Sequence, residues 1–261
     1  DPQTLHPVKV YSQDYSTLYG VGRYATDFGQ GTAPGDMFGD GRDGVMPSSG
    51  NLDNNSGVGV GIVNSGSHGA YSITVTDAHA VSRVNPGDAV LIHQTQGTGA
   101  GCWEINKAVS DFAGGTATYQ LANPLQCNYA SGGNNHAQIQ RMPQFSTCNV
   151  TGTAAPLAAW NGTWGGLFAI ICSDVLTVTG TIDVAYAGFR GGAPNCVGCS
   201  GGNQGEGYMK IGIMSTASNG NGGGGGGSDP SPWGGSGSAS GGGGGGHANA
   251  GSTGEQANGT T

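Results

Sequence analysis

The sequence predicts an all-β protein: β-sandwich or β-solenoid-like strands, followed by a glycine-rich polyproline II-type bundle or tail. Three observations predict it. Over residues 58–145, short apolar runs alternate with polar residues at the two-residue period of half-buried strands. No segment carries a capped 3.6-residue period, so helix is expected to be scarce. Glycine supplies 55 of 261 residues and charged residues only 9%, against about 7% and about 25% in average domains. The chain divides into an N-terminal strand segment (1–36), a β-rich domain with solenoid-like rungs (37–190) and a glycine-rich region (191–261).

The N-terminal run HPVKVYSQDY alternates, with Val8, Val10 and Tyr11 as its anchors. Such a strand pairs within its own fold or is exchanged into a neighbouring subunit, since strand addition needs only an open edge. Residues 36–57 are turn-rich and acidic. Asp36, Asp40, Asp43 and Asp53 could supply oxygen ligands to Ca²⁺, although the stretch lacks EF-hand spacing and its closing Glu. The other reading is solvated turn carboxylates.

Residues 58–145 read as successive strands. VGVGIV and YSITVTDA alternate, and VNPGD is a turn feeding a strand with Val90, Ile92 and Gln94 on one face. CWEINKAVSDFAGGTATYQLANPLQC reads as a hairpin about a Gly-Gly turn, with Cys102 and Cys127 at its far ends. HAQIQRMPQF is a further strand, ended by Pro143. Over residues 146–190 the strands shorten. NVTGT at 149–153 returns within TVTGTIDV at 177–184, an internal repeat of about one solenoid rung. Two or three stacked rungs are expected, with LFAIIC buried on both faces.

Six cysteines, few lysines and the sequons at Asn54, Asn149, Asn161 and Asn258 fit an oxidising, extracellular setting with glycosylation sites. The sequential pairing 102–127, 148–172 and Cys196–Cys199 is expected among the 15 possible. The chain begins at Asp1, as a processed secreted chain or a trimmed one would. Net charge is −8, and the eight basic residues are scattered from Lys9 to Lys210. That argues against nucleic acid and anionic membranes as partners. The longest apolar stretch is interrupted by Ser173 and Asp174, so no membrane span is expected.

The two six-glycine runs admit three readings. A phosphate loop would need a following helix and a G-x-x-x-x-G-K-[ST] pattern, and neither is present. A flexible Gly/Ser tail is the second. The third is a bundle of polyproline II helices, each run a rod of roughly 19 Å at about 3.1 Å per residue. Glycine loses the most backbone entropy on ordering, so such a bundle needs a template. A face of the preceding rungs would provide it.

The order FGDGRDG, VNPGDAVLIHQTQGTGAG, LTVTGTID, GFRGG, QGEGY and polyglycine resembles a recurrent module of large secreted or cell-surface bacterial proteins. The resemblance runs from residue 38 onward. It implies an extracellular, β-rich, glycine-rich module, and it carries no catalytic or binding residues across. Such modules continue past the polyglycine into further strands, whereas this chain stops at NGTT. A fragment, or completion by another subunit, is therefore expected. The tract also resembles, more loosely, the polyglycine bundles of some antifreeze proteins and phage tail-tip adhesins.

Enzyme chemistry finds little footing. His68, His79, His93 and His136 are isolated in strands, without zinc spacing. CVGC lacks the helix N-terminus that activates a redox cysteine. Asp174, Asp183 and Arg190 are too sparse for a polysaccharide lyase face. No enzyme activity is expected, and no cofactor beyond Ca²⁺. The expectation is an extracellular structural protein, subunit of a surface filament, pilus-like fibre or sheath, with itself as partner. The alternative is a surface adhesin whose Trp160, Trp164, Tyr186 and Trp233 contact surface glycans. A polysaccharide-active β-helix enzyme is the second alternative.

Overall fold

The computed structural model describes residues 22–24, 39–52, 57–190, 206–208, 239–240 and 256–257. Val8, Val10, Tyr11, Asp36, Asp53, Asn54, Cys196, Cys199, Trp233, Asn258 and both six-glycine runs lie outside them. Among the described residues there is no α-helix, and the single 3-10 turn is Val81–Arg83. The class is all-β.

One curled sheet dominates. Its strands are β1 (Gly22–Tyr24), β3 (Val60–Gly66), β4 (Ser72–His79), β5 (Ala89–Gln96), β6 (Trp103–Lys107), β7 (Thr116–Gln120), β8 (Tyr129–Ala130) and β9 (His136–Met142). The order is β1-β6-β5-β9-β3-β4-β7, with β8 also on β3. All these pairs are antiparallel except β1 on β6. An isolated bridge from Ala108 to Leu121 joins the chain just beyond β6 to the chain just beyond β7, so the two flanks of the sheet meet.

The expected β6–β7 hairpin is therefore corrected: β6 and β7 form no ladder with each other, and their C-terminal ends meet at that bridge and the bonds beside it. Strand β7 instead pairs with β4 along five residues. That partnership sets Ile73 opposite Tyr119 and Val75 opposite Ala117. On the other face, Thr74–Thr118 and Thr76–Thr116 hydroxyls bond at 3.0 and 2.7 Å. Cross-strand pairs of both kinds favour this register.

Alternation decides what lies inside. Val63, Val75, Val90, Ile92, Phe112, Tyr119 and Ile139 share one buried cluster, and the Phe112 and Tyr119 rings stack at 3.8 Å. Each such side chain contributes about 1.5–3 kcal/mol on burial. Where the chain leaves the ladder, amide side chains stand in for strands. Gln94 bonds both the N–H and the C=O of Ala130, at 2.9 and 3.0 Å. Asn106 does the same to Asn123, and Gln138 to Gly165. Buried backbone polar groups must be paired, and these three side chains pair groups that the strand ladders leave open.

The second part is a parallel layer. It comprises β2 (Gly50–Asn51), β10 (Gln144–Phe145), β11 (Cys148–Val150), β12 (Thr153–Ala155), β13 (Ile171–Cys172), β14 (Leu176–Val178) and β15 (Thr181–Ile182). β10 pairs with β13, β11 with β14, and β12 with both β15 and β2, all parallel. The repeat noted in the sequence is paired in its own register: Asn149 with Thr177, Val150 with Val178, Thr153 with Thr181. Its glycines have a steric reason, because a Cβ on Gly180 would collide with the carbonyl oxygen of Gly152.

The segment LFAIIC is two-faced. Phe168, Ile170 and Cys172 pack with Phe145, Cys148 and Val150 in the layer, while Ala169 and Ile171 pack with Ala89, Ile105 and Met142 of the sheet. Disulfides join Cys102 to Cys127 and Cys148 to Cys172. The second staples two successive passes of the layer. In the glycine-rich region the short strands β16 (Ala239–Ser240) and β17 (Gln256–Ala257) pair antiparallel.

Candidate functional site

Three polar nodes lie where irregular segments meet the sheet. The first joins two turns distant in sequence. Arg141, on β9, donates from Nε to Asp88 Oδ2 at 2.8 Å and from Nη2 to Asp88 Oδ1 at 3.1 Å. Its Nη2 also donates to Asp43 Oδ1 at 2.7 Å. Asp43 Oδ2 accepts the Gln144 amide at 2.7 Å, and Asp88 Oδ2 accepts the Asn85 amide at 2.9 Å. Arg141 and Asp88 are both buried. Burial alone would lower the Arg141 guanidinium, but the two carboxylates outweigh it and hold it charged. Asp40 is engaged with the neighbouring Arg42 through 2.6–3.1 Å bonds, which hold its carboxyl below the usual range. In the acidic turn Asp40 and Asp43 both bond arginines. Among the described residues no three His, Cys, Asp or Glu side chains cluster as metal ligands would.

The second node joins Glu206 to Arg190 and Trp160. Glu206 Oε2 accepts the Trp160 indole N–H at 3.0 Å, the Arg190 amide at 2.9 Å and Arg190 Nε at 3.0 Å, while Oε1 accepts Arg190 Nη2. Burial pulls the Glu206 carboxyl up, but the Arg190 and Trp160 bonds outweigh it and hold it below the usual range. Gln96 donates to the Gly207 carbonyl at 2.8 Å, and the Gly97 amide to Tyr208 at 2.7 Å, so β5 anchors this segment. Phe189 and His136 meet the Trp160 ring edge-on at 5.9 and 6.1 Å.

The third node is inside the curl. Glu104 is fully buried and accepts the Gln126 amide at 3.1 Å. Burial raises its carboxyl to about 7, against the hydrogen bonds from Gln126 and Tyr129. Burial and the Glu104 charge in turn push the Tyr129 phenol up.

Several residues singled out in the sequence find plain places. His93 is desolvated, which lowers it to about 4, and its Nδ1 lies 3.0 Å from the Thr95 hydroxyl. His79 stacks on Trp164 at 6.0 Å, and His68 lies on an exposed turn. Trp160 is buried with its nitrogen spent on Glu206, and Trp164 packs against a cluster with Leu52 and Val60. Tyr186, by contrast, is 100% exposed at a left-handed φ of 57°. Asn149 and Asn161 are exposed, as sequon asparagines must be to accept a glycan. Asp174 and Asp183 are exposed, and Arg190 is committed to Glu206.

The Glu104 and Glu206 nodes were not foreseen. Alternation carried a signal for Glu104, since it shares a face with the disulfide-bonded Cys102. For Glu206 only the QGEGY motif pointed to the place, without a role.

The fold and its nodes define a class: an all-β, disulfide-bonded protein whose buried charges clasp segments together. Compared with protein-family models, curated proteins and solved structures, the chain has no significant match. No helix among the described residues is long and apolar enough to cross a membrane.

Proposed function

We propose that this chain is an extracellular structural protein, a subunit of a surface filament, pilus-like fibre or sheath, assembling by strand addition and stacking. One observation carries the reading. Among the described residues, eight large apolar side chains are exposed, and five of them are Val175, Leu176, Val178, Val184 and Tyr186. The first three lie on or beside β14 in the parallel layer, and Val184 and Tyr186 follow β15. An apolar strand with an open edge invites another strand. The layer is read as a short β-solenoid, because successive passes pair in parallel at an offset of about one repeat. Two disulfides support an oxidising location outside the cell. The glycine tract is read as a polyproline II-type element packed on these passes, within a module of the secreted, cell-surface kind.

Negative-stain electron microscopy of undenatured protein tests this. Regular fibres are expected, and they should be lost when residues 1–12 are deleted if the N-terminal strand is exchanged. Isolated particles at every concentration would sink the filament reading. The fully exposed, backbone-strained Tyr186 favours a second reading, a surface adhesin that contacts glycan. Glycan-array binding by a monomer, abolished in Tyr186→Ala, would establish it.

A further inference from the structure

The core of the curl sets an acid beside a half-cystine. Cys102 stands one residue before β6, Glu104 is the second residue of that strand, and both are buried on its inner face. Tyr129, also buried, links them. Its hydroxyl hydrogen-bonds the Glu104 carboxyl and lies 3.9 Å from Cys102 Sγ. Cys102 is bonded in turn to Cys127, which is only partly buried. Carboxyl, phenol and inner sulfur thus form a line that ends on the more open sulfur.

Packing alone does not ask for an acid there. Gln94, Asn106 and Gln138 meet buried backbone groups of this sheet with amides, and Asn106 lies two residues from Glu104 on the same face. Glu104 accepts the Gln126 amide at 3.1 Å, which a glutamine oxygen would do without placing a titrating group in the core. What an amide cannot do is give up a proton. The other bridge has different company: Cys148 and Cys172 pack with Met46, Phe145, Val150 and Ala154, all apolar.

We propose that Cys102–Cys127 is an exchangeable bridge, opened by an external thiol with Tyr129 and Glu104 as its proton relay. The attacking thiolate bonds Cys127 Sγ, the Cys102–Cys127 bond breaks, and its electron pair leaves on Cys102 Sγ. A thiolate buried among apolar groups is costly, and a poor leaving group slows exchange. The Tyr129 proton moves to Cys102 Sγ as the Glu104 proton moves to the phenol oxygen. The products are a mixed disulfide at Cys127, a neutral Cys102 thiol and a Glu104 carboxylate, so the charge of the attacking thiolate ends on Glu104. The second thiol of a dithiol then releases Cys127, and the reagent is oxidised as the bridge is reduced. Around Glu104, β5 sets Ile92 opposite, β1 brings Arg23 to the neighbouring register position, and β8 supplies Tyr129 as the titratable side chain that faces it.

Reduction of the folded full chain by dithiothreitol, with each cysteine followed by alkylation and peptide mass spectrometry, tests the relay. The Cys148–Cys172 bridge in the same sample meets the same thiolate, so the ratio of the two cleavage rates cancels the reagent's own titration. In the wild type this ratio should fall about tenfold or more between about pH 5.5 and about pH 8.5, as Glu104 ionises near 7. In Glu104→Gln it should be flat. Tyr129→Phe, which keeps the ring, should slow cleavage of Cys102–Cys127 by about tenfold or more at about pH 5.5. A purely structural role predicts the opposite, because a loosened core would expose the bridge and speed its cleavage. A wild-type ratio that does not change with pH, either variant keeping the wild-type profile, or faster cleavage in Tyr129→Phe would overturn the relay.

Discussion

Arg141 grips Asp88 through two nitrogens at 2.8 and 3.1 Å while a third bond of 2.7 Å ties it to Asp43. One buried guanidinium thus holds the FGDGRDG turn and the NPGD turn against β9. Replacing it with Met leaves Asp88 buried without its main counter-charge, which costs about 3–5 kcal/mol. Lys keeps the charge but not the planar fork, so Arg141→Lys should recover less than half of that loss. Urea unfolding of both variants checks this; a Lys variant as stable as the native chain would show that the fork is unimportant.

Glu104 carries an acid-side preference. Its carboxyl is raised to about 7 in the fold from an ordinary 4.5, because burial disfavours the charge. The folded state therefore holds the proton more tightly. The stability this confers is complete below about 4.5 and is lost as pH rises through about 7. Glu104→Gln, which stays neutral, should be more stable than the native chain at pH 8 by about 2 kcal/mol, with the gap closing toward pH 4. Melting temperatures across that range read it, and a gap that is constant with pH would refute the buried-charge account.

Glu206 runs the other way. Arg190 and Trp160 favour its ionised form, so its folded value lies below 4.5. Its contribution is present above about 4.5 and disappears as pH falls through the lower folded value. Glu206→Gln should lose on the order of 2 kcal/mol at pH 7, the worth of charge-assisted bonds, and progressively less as pH falls below 4.5. Because Trp160 donates to this carboxylate, its fluorescence should shift in the variant even where global stability is matched by temperature.

The Cys148–Cys172 bridge closes a separation of 24 residues across two passes of the layer. Replacing both cysteines with Ala should cost about 3 kcal/mol, mostly by freeing the unfolded chain. Hydrogen exchange should then rise first at Val150 and Val178, which are paired across the two passes. Uniform exchange across the whole sheet instead would mean that the layer and the sheet open as one unit.

Strand positions were legible because they depend on neighbours in sequence. Val90 and Ile92 announce a buried face by alternation, and the chain uses that face. NVTGT and TVTGT announce stacked passes, and they pair in that register. Partner choice was less legible. The Gly114-Gly115 turn suggests that β6 and β7 fold on each other, yet β7 lies on β4, where its apolar and threonine faces both find matches. Trp160 reads equally as platform or core until Glu206 is seen to bond its ring nitrogen at 3.0 Å.

The sequence by itself determined that this protein is all-β and where most of the strands of residues 58–145 run. Those follow from backbone sterics and a two-residue period, which act over a few residues. Only the tertiary structure decided that Arg141 meets Asp43 across 98 residues and Asp88 across 53, and that Glu104 is sealed from water. Charge pairing and burial act through space, and their partners are set by how the sheet curls.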